Sequence, residues 1–253
     1  MAKPLLIVNN LSKAFGGVVA TDNVDFVAEL GELHAIIGPN GAGKTTLIAQ
    51  LSGEMIADSG QIFFENTDIT LLPNYRRSLL GIARSFQITS LMLDMNVIDN
   101  VALAIQSHKG HSYRFWTDAR NDRDLTLPAL DALKTVRLEE RAFDKVNELS
   151  HGEHRQLEIA VALATQPKLI LLDEPMAGMG ALEGENIINI LRQLKSQKTM
   201  VLIEHDMNAV FALADRITVM VYGQVIATGS PEEIRNNKDV REAYLGTEET
   251  PIC

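Results

Sequence analysis

Cysteine is nearly absent from this chain. The single thiol, Cys253, is the last residue, so no disulfide can close within the sequence. That fits a reducing compartment and excludes a disulfide-stapled scaffold. Long apolar runs are missing too. No stretch approaches the ~18–20 apolar residues of a membrane-spanning helix. The opening "MAKPLLIVNN" has too short an apolar core for a secretory signal. The expectation is a soluble, cytoplasmic chain whose membrane contact is peripheral. Basic charge is also in deficit: 23 Lys and Arg stand against 33 Asp and Glu, a formal net charge of -10. A broad nucleic-acid footprint needs a basic face, so no nucleic-acid partner is expected. No internal repeat or long low-complexity segment occurs.

What is present is a core. Hydrophobic residues make up 46% of 253 positions, enough for one large domain or two small ones. "LHAIIG" (33–38), "KLILLDEP" (168–175) and "TMVLIEH" (199–205) read as buried strands. "KTTLIAQLSG" (44–53) reads as a helix, and further helices follow at about 182–195 and 207–213. Strands apolar on both faces suit a parallel sheet covered by helices. "LLIVNNLSKAF", "VDFVAEL", "GQIFFENTDI" (60–69) and "RITVMVYGQVIATGS" (216–230) read as antiparallel ribbon, the last turning near Tyr222-Gly223-Gln224. From about 96 to 165 the strand signal gives way to helical pattern and a polar stretch, 106–124. The reading is a helical subdomain inserted into an α/β core.

"GPNGAGKTT" (38–46) has the spacing G-x-x-x-x-G-K-[ST] at Gly38, Gly43, Lys44 and Thr45. Small residues let backbone N–H groups turn toward phosphates, and the following helix N-terminus favours an anion. Lys44 reaches the β and γ phosphates, and Thr45 places its hydroxyl on Mg2+. The acidic half of such a site should end another strand. "LILLDEP" supplies it: Asp173 to hold Mg2+ through water, and Glu174 to polarise the attacking water.

The phosphate loop, "LSHGEHRQLEIA" (149–160), "LILLDEP" and "LIEHD" stand in the order found in ABC-transporter ATPase subunits, which the chain resembles over nearly its whole length. The resemblance implies the ABC ATPase fold: a P-loop NTPase core of mainly parallel sheet, an antiparallel β subdomain and an inserted helical subdomain. The chain would be one domain, with the core at about 1–90 and 166–253 and the helical subdomain, carrying the signature, at about 91–165.

Several roles follow from the resemblance alone. "LSHGE" matches the signature segment, which in the family covers the ATP held by the phosphate loop of a second cassette. Ser150 and Gly152 keep the hydroxyl and the close-approach glycine, whereas His151 and Glu153 replace the usual glycine and glutamine. The nucleotide-binding set becomes Phe15, stacking on adenine, with Gly38, Pro39, Asn40, Gly41, Ala42, Gly43, Lys44, Thr45 and Thr46 around the phosphates. Ser150 and Gly152 act in trans. Gln87 in "ARSFQ" links γ-phosphate and metal to the helical subdomain, and His205 is the switch histidine. Catalysis falls to Glu174, His205 and Gln87, and Mg2+ to Thr45, Gln87 and Asp173. Gly180 stands where the family often has Asp or Asn, which puts communication between paired sites in doubt.

The tail "GSPEEIRNNKDVREAYLG" and the polar stretch at 106–124 resemble the branched-chain amino acid uptake branch. That implies ATP-driven import. The partners would be a second ATPase subunit, in a hetero- or homodimer, two membrane permease subunits and, indirectly, a solute-binding protein, with this chain peripheral on the inner face of the plasma membrane. The alternatives are a soluble ABC ATPase acting on another macromolecule and a nucleotide-binding regulatory module without hydrolysis.

Overall fold

Three strands, β3 (Leu33–Ile37), β7 (Leu169–Asp173) and β8 (Thr199–Ile203), are buried at every position. Alternate side chains on a strand point to opposite faces, so runs of this kind need cover on both sides. The cover differs by face. Ile170, Leu172, Met200 and Leu202 enter one hydrophobic cluster with helices, and Leu169, Leu171, Val201 and Ile203 enter another. The protein is described from a computed structural model that covers residues 3–85, 91–110, 120 and 122–245.

The main sheet has six strands in the order β10-β9-β3-β8-β7-β6. β6 is Ile82–Arg84, β9 Arg216–Val221 and β10 Gln224–Gly229. All pairs are parallel except β9 with β10. The ribbon expected at 216–230 is therefore present, turning at Tyr222 (φ 49°) and Gly223 (φ 82°), but it extends the main sheet. Its first strand buries four consecutive residues, Ile217–Met220, and needs neighbours on both sides.

A second, antiparallel sheet has the order β2-β1-β4-β5. β1 (Pro4–Phe15) pairs with β2 (Val18–Glu29) and with β4 (Ser59–Phe64), which pairs with β5 (Thr67–Asp68). Helix α1 (Lys44–Ser52) sits between this sheet and the main one, contributing Leu47, Ile48 and Leu51 to the same cluster as Leu6, Leu11 and Phe26. The C-terminal end of α1 is closed by Arg77 of α2 (Asn74–Leu80). Its buried guanidinium donates to the carbonyls of Gln50 at 2.7 Å and Leu51 at 2.9 Å.

Between the neighbouring strands β6 and β7 lie α3 (Val97–Lys109), α4 (Arg123–Thr135), two short 3-10 turns and α5 (His151–Ala164). After β7 come α6 (Ala181–Lys195) and, beyond β8, α7 (Met207–Leu213). The chain then closes with α8 (Pro231–Asn236) and α9 (Lys238–Leu245). The sequence pattern did not distinguish α2 or β6; both are too short to show a period. Among the described residues no helix is long and apolar enough to cross a membrane.

Candidate nucleotide site

The phosphate loop leaves β3 at Gly38 and enters α1 at Lys44. Its glycines are required for different reasons. A Cβ on Gly38 would stand 2.1 Å from the Met220 carbonyl oxygen, and one on Gly43 1.9 Å from that of Ala20. Backbone from β9 and β2 thus presses against both ends of the loop. Gly41 meets no such crowding among the described residues but turns at φ 80°. The loop is also stapled: Ala42 N–H donates to the Pro39 carbonyl at 3.1 Å, and Gly223 N–H to the Ala42 carbonyl at 3.0 Å. Asn40 and Gly41 are exposed and Pro39 half-buried.

Helix α1 begins with no side-chain cap on Gly43 and no acidic residue in its first turn. Uncapped N–H groups and a positive dipole end make an anion site. The Lys44 ammonium folds back onto the loop, donating to the carbonyls of Gly38 at 2.7 Å and Pro39 at 3.0 Å. Burial lowers its pKa, and the charges of Glu174 and Asp173 oppose that shift. Thr45 is exposed and Thr46 half-buried on the first turn.

Asp173 ends β7 and is 1% exposed. Its Oδ2 accepts from Arg84 Nη2 at 2.9 Å, while Oδ1 has no partner among the described residues. Burial raises its pKa, Arg84 opposes the rise, and Glu174 adds to it. Glu174 follows in the left-handed region at φ 49°, its N–H bound to the Ile203 carbonyl at 2.9 Å. A non-glycine residue held there stores strain of ~1–3 kcal/mol, which is common at functional sites. His205 donates from Nε2 to Glu174 Oε1 at 2.6 Å. The two meet because β7 and β8 are adjacent, with Asp173 in register with Ile203.

Glu204, between strand and histidine, is buried. One of its oxygens accepts from Met176 N–H at 2.9 Å and the other from His205 N–H at 3.0 Å. It therefore ties the loop after Glu174 to the loop carrying His205. A sequence signal existed: "MVLI" precedes Glu204 much as "LILL" precedes Asp173. Arg84 gave none, lying on a strand of three residues.

The signature segment stands apart. Ser150 caps α5: its Oγ accepts from Glu153 N–H at 3.2 Å, and Glu153 Oε2 accepts from Ser150 N–H at 2.7 Å. Glu153 also accepts from Arg141 Nη1 at 3.1 Å. The glutamate thus completes a reciprocal cap. His151 donates from Nε2 to the Ala177 carbonyl at 3.3 Å, reaching the loop that follows the acidic pair. Gly152 is buried, and a Cβ there would stand 2.9 Å from the Glu183 carboxylate, so its close approach within this chain is to α6. Ser150 and Gly152 line a cleft with Arg137, Glu183 and Asn186, among whose described lining residues none belongs to the phosphate loop.

The remaining expected residues are scattered. Phe15 is 49% exposed at the end of β1, with Lys13 Nζ 5.7 Å from its ring centre. Gly180 immediately precedes α6 as its N-cap, and among the described residues nothing lies within 4 Å of where a side chain would start. Packing does not dictate a glycine there. Gln87 lies outside the described residues. The structure thus groups Lys44, Asp173, Glu174 and His205, and leaves Ser150 and Gly152 elsewhere.

The family model described as "ABC transporter" matches residues 21–177, more than half of the chain. The chain belongs to the ABC transporter family. A second model, "Branched-chain amino acid ATP-binding cassette transporter", matches residues 224–250. The high-affinity branched-chain amino acid transport ATP-binding protein LivG of Escherichia coli K12 is 38% identical, covering 97% of this chain and 99% of that protein. The probable LivG of Archaeoglobus fulgidus is 34% identical, with 98% of each covered. Among solved structures, a nucleotide-free ATP-binding cassette from an ABC transporter aligns with TM-score 0.84 at 34% identity, covering 95% of this chain and 98% of the other. The ADP conformation of an ATP-binding cassette of an ABC transporter gives TM-score 0.84 at 32% identity, with 96% and 99% covered. The ABC ATPase fold expected from the motif order is the one observed.

Proposed function

We propose that this chain is the ATP-hydrolysing subunit of an ABC importer for branched-chain amino acids. One observation carries the reading: Glu174 and His205 meet at 2.6 Å, close enough to Lys44 that Glu174 bears on its charge. The phosphate loop binds ATP through its N–H groups and Lys44. Glu174 takes up the proton of the attacking water, and His205 orients that carboxylate and reaches toward the γ-phosphate. The products are ADP and phosphate. The residues fit a divalent cation: Asp173 Oδ1 is buried without a partner among the described residues, and the exposed Thr45 hydroxyl begins α1. Mg2+, held by Thr45, Asp173 and Gln87, would offset the phosphate charge. The relatives' names and the match at 224–250 support branched-chain amino acids as cargo.

The cassette acts as a pair. Ser150 and the start of α5 serve a nucleotide on the partner's phosphate loop, consistent with a cleft whose described lining residues include none of this chain's own phosphate loop. The partner is a second ATPase subunit; two permease subunits and a solute-binding protein complete the importer, with this chain on the inner membrane face. The permease contact is assigned to a groove of about 480 Å³ between the core and α3 and α5, lined by Tyr75, Ile82, Leu91, Met92, Leu103 and Val161. Met92 is 50% exposed, adaptable surface for a short helix. The test is ATP turnover by the purified chain, alone and with the copurified membrane subunits, plus leucine uptake in reconstituted vesicles. Turnover without leucine uptake would sink the cargo. Cysteine pairs scanned along 91–93 and the permease should crosslink, and failure with assembly intact would remove the groove assignment.

A further inference from the structure

Arg84 stands between two places the reaction must connect. It lies on β6, in the wall of the groove assigned above to the membrane subunit. Its Nη1 donates to Glu54 Oε2 at 2.5 Å, and its Nη2 to Asp173 Oδ2 at 2.9 Å. Glu54 lines the same groove with its side chain 31% exposed, whereas the side chains of Arg84 and Asp173 are 8% and 0% exposed. Among the described residues these two carboxylates are the guanidinium's only hydrogen-bond partners, since Nε has none. The guanidinium is planar and its donors form a fixed fork. A shift of Glu54 that turns the fork must therefore move the oxygen of Asp173 that the other arm holds. That arm also decides which Asp173 oxygen is left free, because Oδ2 is taken and Oδ1 is not.

We propose that Arg84 is a positioning residue that sets Asp173 for the divalent cation and lets the state of the groove, through Glu54, be felt at the metal. The link to a membrane helix rests on the groove assignment; the link from Glu54 to the metal does not. Groups that orient metal ligands from behind typically change affinity 10–100-fold when removed.

The test is a double-substitution cycle on the isolated full-length chain. It is read by Mn2+ affinity in electron paramagnetic resonance titrations with ATP bound, in a Glu174→Gln background that retains the nucleotide. Arg84→Gln should weaken Mn2+ about tenfold. Glu54→Gln should weaken it in the same direction by roughly threefold, and that effect should vanish once Arg84 is glutamine, because coupled residues do not add. Unchanged Mn2+ affinity in Arg84→Gln overturns the proposal. So does an Arg84→Gln shift with Glu54→Gln silent, or two additive shifts. Should Arg84→Gln not fold, Arg84→Lys, which keeps the charge but loses the fork, replaces it in the cycle with the same loss of coupling expected. Crosslinking decides the groove separately, so the two failures are distinguishable.

Discussion

Glu204 illustrates how much a single carboxylate can hold. Burial raises its pKa above the ordinary 4.5, against the N–H groups of Met176, His205 and Asp206. The folded chain thus binds that proton more tightly than the unfolded one. Its contribution to stability is full below pH 4.5 and is lost as pH rises through the raised value. In Glu204→Gln one acceptor becomes a donor facing an N–H, a mispairing worth ~1–3 kcal/mol. We expect a lower melting temperature than wild type, with a gap that narrows from pH 4.5 upward. Melting curves across that range check it, and a gap that widens would contradict it. ATP turnover should fall as well, because His205 and the loop at Met176 lose their common tie. Lys44 is simpler: it is the phosphate loop's only cation. Lys44→Ala removes charge-assisted contacts worth ~1.5–3 kcal/mol each. Calorimetry of MgATP binding should show the loss, and wild-type affinity would dismiss the site.

At the scale of elements, legibility followed burial. β3, β7 and β8 are readable because short, mostly apolar runs of strand length, bounded by loop motifs, suit a doubly covered strand; His34 is the one polar residue at an interior position of them. The strand-end acids were readable with them. β6 is not, since three residues carry no period, and nothing in the sequence marks its Arg84. Nor could the pattern show that β9 joins β3, because pairing is a tertiary choice that a single strand does not encode. In α5 the sequence showed a Ser and a Glu three residues apart, but not that they cap one helix reciprocally. Ser150→Ala should cost ~0.5–2 kcal/mol through the lost cap. In a chain of this size, at about 2–4 °C per kcal/mol, that lowers the melting point by roughly 1–8 °C. A calorimetric scan without nucleotide measures it, and no change would mean the cap is idle.

At the scale of the whole molecule the prediction is association. Each nucleotide should join one phosphate loop to the partner's Ser150. Glu174→Gln keeps the site's shape while slowing hydrolysis, so that variant should run as a monomer alone and shift toward a dimer with MgATP. Adding Ser150→Arg should abolish the shift and leave nucleotide binding to the single chain nearly intact. Light scattering, with and without the companion ATPase subunit, reads both. Equal dimerisation by the double variant would remove Ser150 from the interface.

The main sheet separates two interiors that share no residue. Behind Leu171 and Val201 lie α1 and the antiparallel sheet; behind Leu172 and Leu202 lie the helices that carry the signature and one wall of the groove. If the groove receives the membrane subunit as proposed, the wall formed by α3 and α5 can change without repacking the first interior, while the wall at Ile82 cannot.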